Sequence, residues 1–170
     1  KLAADAKWAG IRKFVFASSC SVYYTSIDKV KRAFDEDDKI NPRAPYSLSK
    51  KMAEGILMAL ADKEFMPTIL RAGTVYGFSP RMRYDLVVNT MVKDAIARQT
   101  IMVLARGEQW RPLVDINDLA KTYLAVLEAP EYKVAGQIFN VVFDNFKVKE
   151  IAALVQKALN GKKSMKLNPC

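Results

Sequence analysis

The 170-residue chain contains no histidine, is 51% apolar and carries a formal net charge of +9, from 27 Lys and Arg against 18 Asp and Glu. The missing imidazole excludes His-ligated metal sites and Ser-His nucleophilic catalysis, and no other metal cluster is read; Cys20 and Cys170, at opposite ends of the chain, make no disulfide framework. The cations are scattered rather than run together, which fits a solvated surface with a few arginines for an anion and not a nucleic-acid partner.

Lys1 to Trp8 reads as the end of a helix, stopped at Gly10, which can take a left-handed conformation. Phe14 to Ser19 follows as an apolar run without alternation, the pattern of a strand covered on both faces. Residues 24 to 45 form an irregular excursion with an acidic cluster at Asp35, Glu36, Asp37 and Asp38. Pro45 suits a first helical turn, and the helix it opens runs to about Asp62. Pro67 to Ala72 is a second strand closing on Gly73. Strand, long helix and strand in that order predict a right-handed crossover in a parallel sheet, with functional residues gathered at the carboxyl ends of the strands. Those ends are Ser18-Ser19 and residues 73–77, and Tyr46 opens the helix between them.

Beyond Gly77 a basic loop holding Arg81 and Arg83 leads into a helix of about Tyr84 to Arg98. Ile101 to Leu104 is a short strand and Trp110 to Val114 an extended piece. Asp115 is a candidate N-cap for the next helix, with Asp118 in its first turn. Gln137 to Phe143 reads as a strand. Val148 to Leu159 is an amphipathic helix, with Ile151, Leu154, Val155 and Ala158 taken as its inward face. Neither a secretory leader nor an apolar run of membrane length is visible, so a reducing, cytoplasmic setting without membrane contact is expected.

Tyr46 and Lys50 are the candidate pair for chemistry, and at this spacing alone a surface Tyr and Lys on an ordinary helix is the alternative. Four residues apart on a helix, they lie on one face one turn from each other. An ammonium held beside a phenol favours the phenolate, which makes the tyrosine usable as an acid or base, and a second positive charge would strengthen the effect.

Five segments together resemble the extended short-chain dehydrogenase/reductase family, in particular its nucleotide-sugar epimerases and dehydratases: Phe-Ala-Ser-Ser-Cys-Ser-Val-Tyr at 16–23, Pro-Tyr-Ser-Leu-Ser-Lys at 45–50, Leu-Arg-Ala-Gly-Thr-Val-Tyr-Gly at 70–77, Arg-Pro-Leu-Val-Asp-Ile-Asn-Asp-Leu-Ala at 111–120 and Ile-Phe-Asn-Val at 138–141. The resemblance implies an α/β fold, the C-terminal part of a Rossmann-like doubly wound parallel sheet plus a small mixed α/β substrate-binding lobe. Residues 1–76 would be the second half of the dinucleotide-binding domain, with 113–143 packing back on it, and 77–170 mainly the substrate lobe, incomplete at its C-terminus. The family's Gly-x-x-Gly-x-x-Gly turn does not occur here, Gly10 being the one glycine before Gly55, so the chain reads as the later part of a longer enzyme.

The resemblance also implies roles. Ser19, Tyr46 and Lys50 fall on the catalytic triad. Ala17, Ser18, Gly73 and Val75, with Tyr46 and Lys50, fall on the nicotinamide side of a bound NAD or NADP, although Ser18 by itself reads as structural. Thr74, Arg81, Asn89 and Arg111 fall on the nucleotide-sugar side. Thr74 stands where many relatives have Asn, Asn89 reads equally well as an exposed helical residue, and Arg111 offers the donor fork that suits a diphosphate. The implied activity is NAD(P)-dependent epimerisation of a nucleotide sugar, with a one-way reductase or dehydrogenase, or a non-catalytic nucleotide- or protein-binding member, as alternatives. The family's 4,6-dehydratases follow their catalytic Thr with Asp and Glu; here Cys20 and Ser21 take those places, which argues against dehydration. A homodimer through the 46–62 helix is implied as well.

Overall fold

The computed structural model describes residues 1–23 and 32–159, together with the backbone of strand 166–169. Its elements are α1 (Leu2–Trp8), β1 (Lys13–Ser19), a 3-10 turn (Cys20–Tyr23), α2 (Pro45–Leu60), β2 (Met66–Ala72), β3 (Thr74–Tyr76), α3 (Val87–Arg98), β4 (Thr100–Val103), a second 3-10 turn (Ala105–Gly107), β5 (Trp110–Asp115), α4 (Ile116–Glu128), α5 (Glu131–Val134), β6 (Ile138–Val141), β7 (Asp144–Lys147), α6 (Val148–Leu159) and β8 (Lys166–Pro169). The chain is an α/β protein of two compact units, one of residues 1–73 and 118–141, the other of residues 74–117 and 142–170. No helix among the described residues is long and apolar enough to cross a membrane.

The first unit is a parallel sheet in the order β1-β2-β6 with helices packed on it. Gly10, at φ +78, ends α1: its N–H bonds the Lys7 carbonyl and that of Ile11 the Ala6 carbonyl, which closes orphan carbonyls of the last turn. β2 is the covered strand, buried from Pro67 to Arg71, because α-helical layers leave no solvent face to a central parallel strand. Its Ile69 and Leu70 form the core with Val22 and Phe65, all fully buried. α2 starts on Pro45 at its first helical position, and Lys7 Nζ donates to the Leu60 carbonyl at its other end (2.8 Å). In register Ser18 pairs with Arg71 and Ser19 with Ala72, so β1 and β2 end side by side.

The second unit joins β3 parallel to β5 and β7 antiparallel to it, while β4 pairs with β8. Met91, Ala95, Ile101, Leu113, Ile151 and Ala152 centre its core. Gly77, at φ +113, lies so near Asp115 that a Cβ would meet its Oδ2 at 3.0 Å. Asp115 Oδ1 accepts the N–H of Asn117 at 2.8 Å, which makes it the cap of α4.

Several expectations need correction. The short strands β3, β7 and β8 were not foreseen, because three or four residues are too few for a period and their partners lie far along the chain. α3 starts at Val87 rather than Tyr84. On α6 the buried stripe is Val148, Ile151, Ala152 and Val155, whereas Leu154 and Ala158 are exposed. Residues 151–155 are apolar throughout, so apolarity alone left the helix phase open. The expected terminator of that helix, residues 160–163, lies outside the described residues, as does 24–31 of the irregular excursion.

Candidate functional site

The first unit brings Tyr46 and Lys50 to the end of β1. Tyr46 stands in the first turn of α2 with 57% of its surface exposed. Lys50, one turn on, donates from Nζ to the Ala17 carbonyl at 2.7 Å and lies 5.5 Å from the centroid of the Tyr46 ring and 5.0 Å from that of Phe16. An ammonium has three donors, so two remain after the bond to Ala17. Ser19 ends β1, half-buried, and its Oγ accepts the N–H of Ser21 at 3.2 Å. Since that bond uses a lone pair, the hydroxyl keeps its proton to donate. An exposed phenol and a cation with spare donors suit the hydroxyl-rich ribose end of a dinucleotide, so these residues fit such a cofactor.

Ser18 and Cys20 turn away from that edge. Ser18 is buried and its Oγ donates to Glu54 Oε1. Cys20 donates its thiol to the Arg71 carbonyl at 3.1 Å. Burial pushes that thiol up to about 12, against the pull of the Arg71 charge, so it stays protonated. Ala17 is exposed and gives its carbonyl to Lys50, and Gly73 donates its N–H to the Val141 carbonyl at 3.0 Å.

Sequence reasoning missed a buried polar network under this edge. Glu54, 4% exposed, takes Arg71 Nε on Oε1 at 3.1 Å and Arg71 Nη2 on Oε2 at 2.8 Å. Arg71 Nη1 donates to the Tyr23 hydroxyl, which donates to Asn140 Oδ1 at 3.0 Å, and the guanidinium lies 4.9 Å from the Tyr23 ring centroid. The Asn140 N–H in turn bonds Glu36 Oε1 at 2.6 Å. Burial draws the Arg71 pKa down, yet the bonds to Glu54 and Tyr23 outweigh it and the net direction is up. Burial likewise raises the Tyr23 phenol. Two signals were available: an arginine inside an apolar strand needs a buried partner, and Glu54 shares its helix face with Tyr46 and Lys50.

In the second unit Thr74 pairs with Leu113 and Val75 with Val114 across β3 and β5. Asn89 is 7% exposed, which corrects the reading of an exposed helical residue. Its Oδ1 accepts the Gly77 N–H at 3.4 Å and its Nδ2 donates to the Arg83 carbonyl at 3.1 Å, so both ends of the amide hold the loop before α3. A cavity of about 650 Å³ is lined there by Gly77, Phe78, Tyr84, Asn89 and Lys93 among others, a size suited to a small organic ligand. Neither Arg81 nor Arg111 lines it; both are exposed, and Arg111 Nη1 bonds the Trp110 carbonyl at 2.8 Å.

Residues 1–141 match the model of the NAD dependent epimerase/dehydratase family. The chain is 32% identical over 132 residues to an uncharacterized UDP-glucose epimerase of Bacillus subtilis, covering 77% of this chain and 39% of that protein. It is 27% identical over 141 residues to the dTDP-D-glucose 4,6-dehydratase of Homo sapiens, covering 82% and 38%. The UDP-glucuronic acid 4-epimerase of Bacillus cereus, solved with UDP-glucuronic acid and NAD, superposes with a TM-score of 0.82 at 25% identity, over 99% of this chain and 51% of that one. The chain thus spans about two fifths of the length of these curated relatives.

Proposed function

The chain belongs to the NAD-dependent epimerase/dehydratase family, and from that membership we propose that the whole protein epimerises a nucleotide sugar. The observation that supports this most directly is the placement of Lys50, held by the Ala17 carbonyl beside the exposed phenol of Tyr46 at the end of the strand that carries Ser19. In this reading Ser19 donates a hydrogen bond to the reacting sugar oxygen. Tyr46 takes the proton of that hydroxyl as the alcohol becomes a ketone, and returns it when the ketone is reduced on its other face. NAD, the cofactor of the family, supplies the acceptance and return of the hydride. Oxidation and reduction cancel, so the product is an isomer. The free donors of Lys50 hold the ribose. Thr74, Asn89, Arg81 and Arg111 serve the nucleotide-sugar side, the two arginines as cations for its diphosphate.

Epimerisation is favoured over dehydration by the residues after Ser19. Loss of water needs an acid for the departing hydroxyl and a base for the adjacent carbon. The Cys20 thiol, half-buried and pushed up to about 12, supplies neither near neutrality, and Ser21 is an alcohol.

The protein acts as a homodimer through α2, whose Leu48, Met52 and Ile56 form an exposed apolar stripe at four-residue spacing.

Incubation of the whole protein with NAD and a panel of nucleotide hexoses tests the reaction. An isobaric product of inverted stereochemistry is expected. A product lighter by one water, or changed by two hydrogens, would overturn the assignment.

A further inference from the structure

We propose that Ser18, Glu54 and Arg71 form a positioning device that sets the register of α2 against the end of β1, and with it the placement of Tyr46 and Lys50 relative to Ser19. The inference rests on the acid–base roles given to those three residues above.

Ala17, Ser18 and Ser19 are consecutive on β1, and Tyr46, Lys50 and Glu54 succeed one another by single turns on one face of α2. The Ala17 carbonyl holds Lys50, and the Ser18 hydroxyl holds Glu54. Two adjacent strand residues thus grip two adjacent helical turns, immediately before the serine and below the tyrosine they must align.

Two of the three buried residues of α2, Ser47 and Glu54, are polar, and Leu57 is the third. A slip by one residue moves a helix about 1.5 Å along its axis. Apolar attraction is non-directional, whereas a hydrogen bond weakens steeply with misdirection and a buried carboxylate left unbonded is costly. Glu54 resists movement because both of its oxygens are taken by Arg71, the register partner of Ser18 on β2. Arg71 is held in turn by the Tyr23 hydroxyl, which Asn140 on β6 anchors. The polar chain therefore reaches across all three strands of the sheet to one side chain of α2.

Ser18 separates positioning from folding, because its removal leaves the Glu54–Arg71 pair whole. We expect Ser18→Ala and Ser18→Val in the whole protein to lower kcat about tenfold to a hundredfold, the range that misplacement of reacting groups by about 1 Å produces. The Kd for NAD and the KM for the sugar nucleotide should stay within about twofold, with the folded fraction unchanged. Ser18→Thr, of the same size as Ser18→Val but bearing a hydroxyl, should restore kcat to within about threefold. Equal kcat in the Ala, Val and Thr variants, at any level, would overturn the inference, as would a loss of kcat that simply follows loss of folded protein. Tyr46→Phe in the same assay separates the two readings. If it stays active, the acid–base assignment fails and the inference with it; if it is inactive while Ser18→Ala turns over at the wild-type rate, only the positioning role falls.

Discussion

Glu54 and Arg71 meet in a two-pronged ion pair inside the first unit, at 3.1 and 2.8 Å, with their side chains 5% and 4% exposed. Breaking such a pair from one side leaves a buried charge uncompensated, at a cost of about 3–5 kcal/mol. Glu54→Ala should therefore lower unfolding stability by roughly that amount in urea titrations. The double variant Glu54→Leu/Arg71→Met should lose far less, since replacing both charges removes the desolvation cost as well as the attraction. A double variant as unstable as the single one would mean that the surrounding bonds to Tyr23 and Ser18 carry the stability instead.

Tyr46→Phe in the whole protein should lower turnover by about 10²–10⁴-fold, the usual worth of a general acid–base group. Only a hydroxyl is lost, from a side chain that is 57% exposed, so fold and NAD affinity should persist. Lys50→Ala should reduce turnover and NAD affinity together, because it removes the charge beside the phenol and the donors offered to the ribose. Steady-state kinetics with NAD calorimetry reads both, and a Tyr46→Phe enzyme with most of its turnover would mean the phenol is not the base.

Ile56→Arg and Ala53→Arg place a cation on the α2 stripe. If the dimer forms there, light scattering should report monomers for both variants, since an unpaired charge in an apolar interface is strongly disfavoured. Ile56 is already 56% exposed within the chain, so the monomer itself should remain folded. Unchanged dimers would place the contact elsewhere.

Glu108 accepts Lys147 Nζ at 2.8 Å and Lys149 Nζ at 2.5 Å. These bonds, that of Lys147 first, lower its pKa to about 2. The folded-state value lies below that of an unfolded glutamate, near ~4.3. Stability from this cluster is therefore fully present above that value and is lost as pH falls through about 2. An NMR titration of the Glu108 carboxyl should show the depressed midpoint, and Lys147→Ala should raise it. A midpoint in the ordinary glutamate range in the unmodified protein would show that the two lysines do not hold it in solution.

The chain's own residues determine the β1–α2–β2 crossover and the pairing of Tyr46 with Lys50. Unalternating apolar runs mark β1 and β2, Gly10 and Pro45 mark a helix end and a helix start, and a spacing of four puts phenol and ammonium on one face of α2. All of these are local signals, set by backbone propensity and by the helical period. Tertiary structure alone decided which polar groups go inside. Arg71 meets Glu54 across 17 residues and Tyr23 meets Asn140 across 117, so the burial of these groups follows from which strands pair and which helix face lies on them. The same dependence explains Asn89, whose burial comes from the loop its amide holds, and α6, where a uniformly apolar stretch left the helix phase open and the fold leaves Leu154 outside. Periodicity identifies the elements of this protein, but the partner of a charge is chosen by contacts distant in sequence, where the cost of burying it must be met.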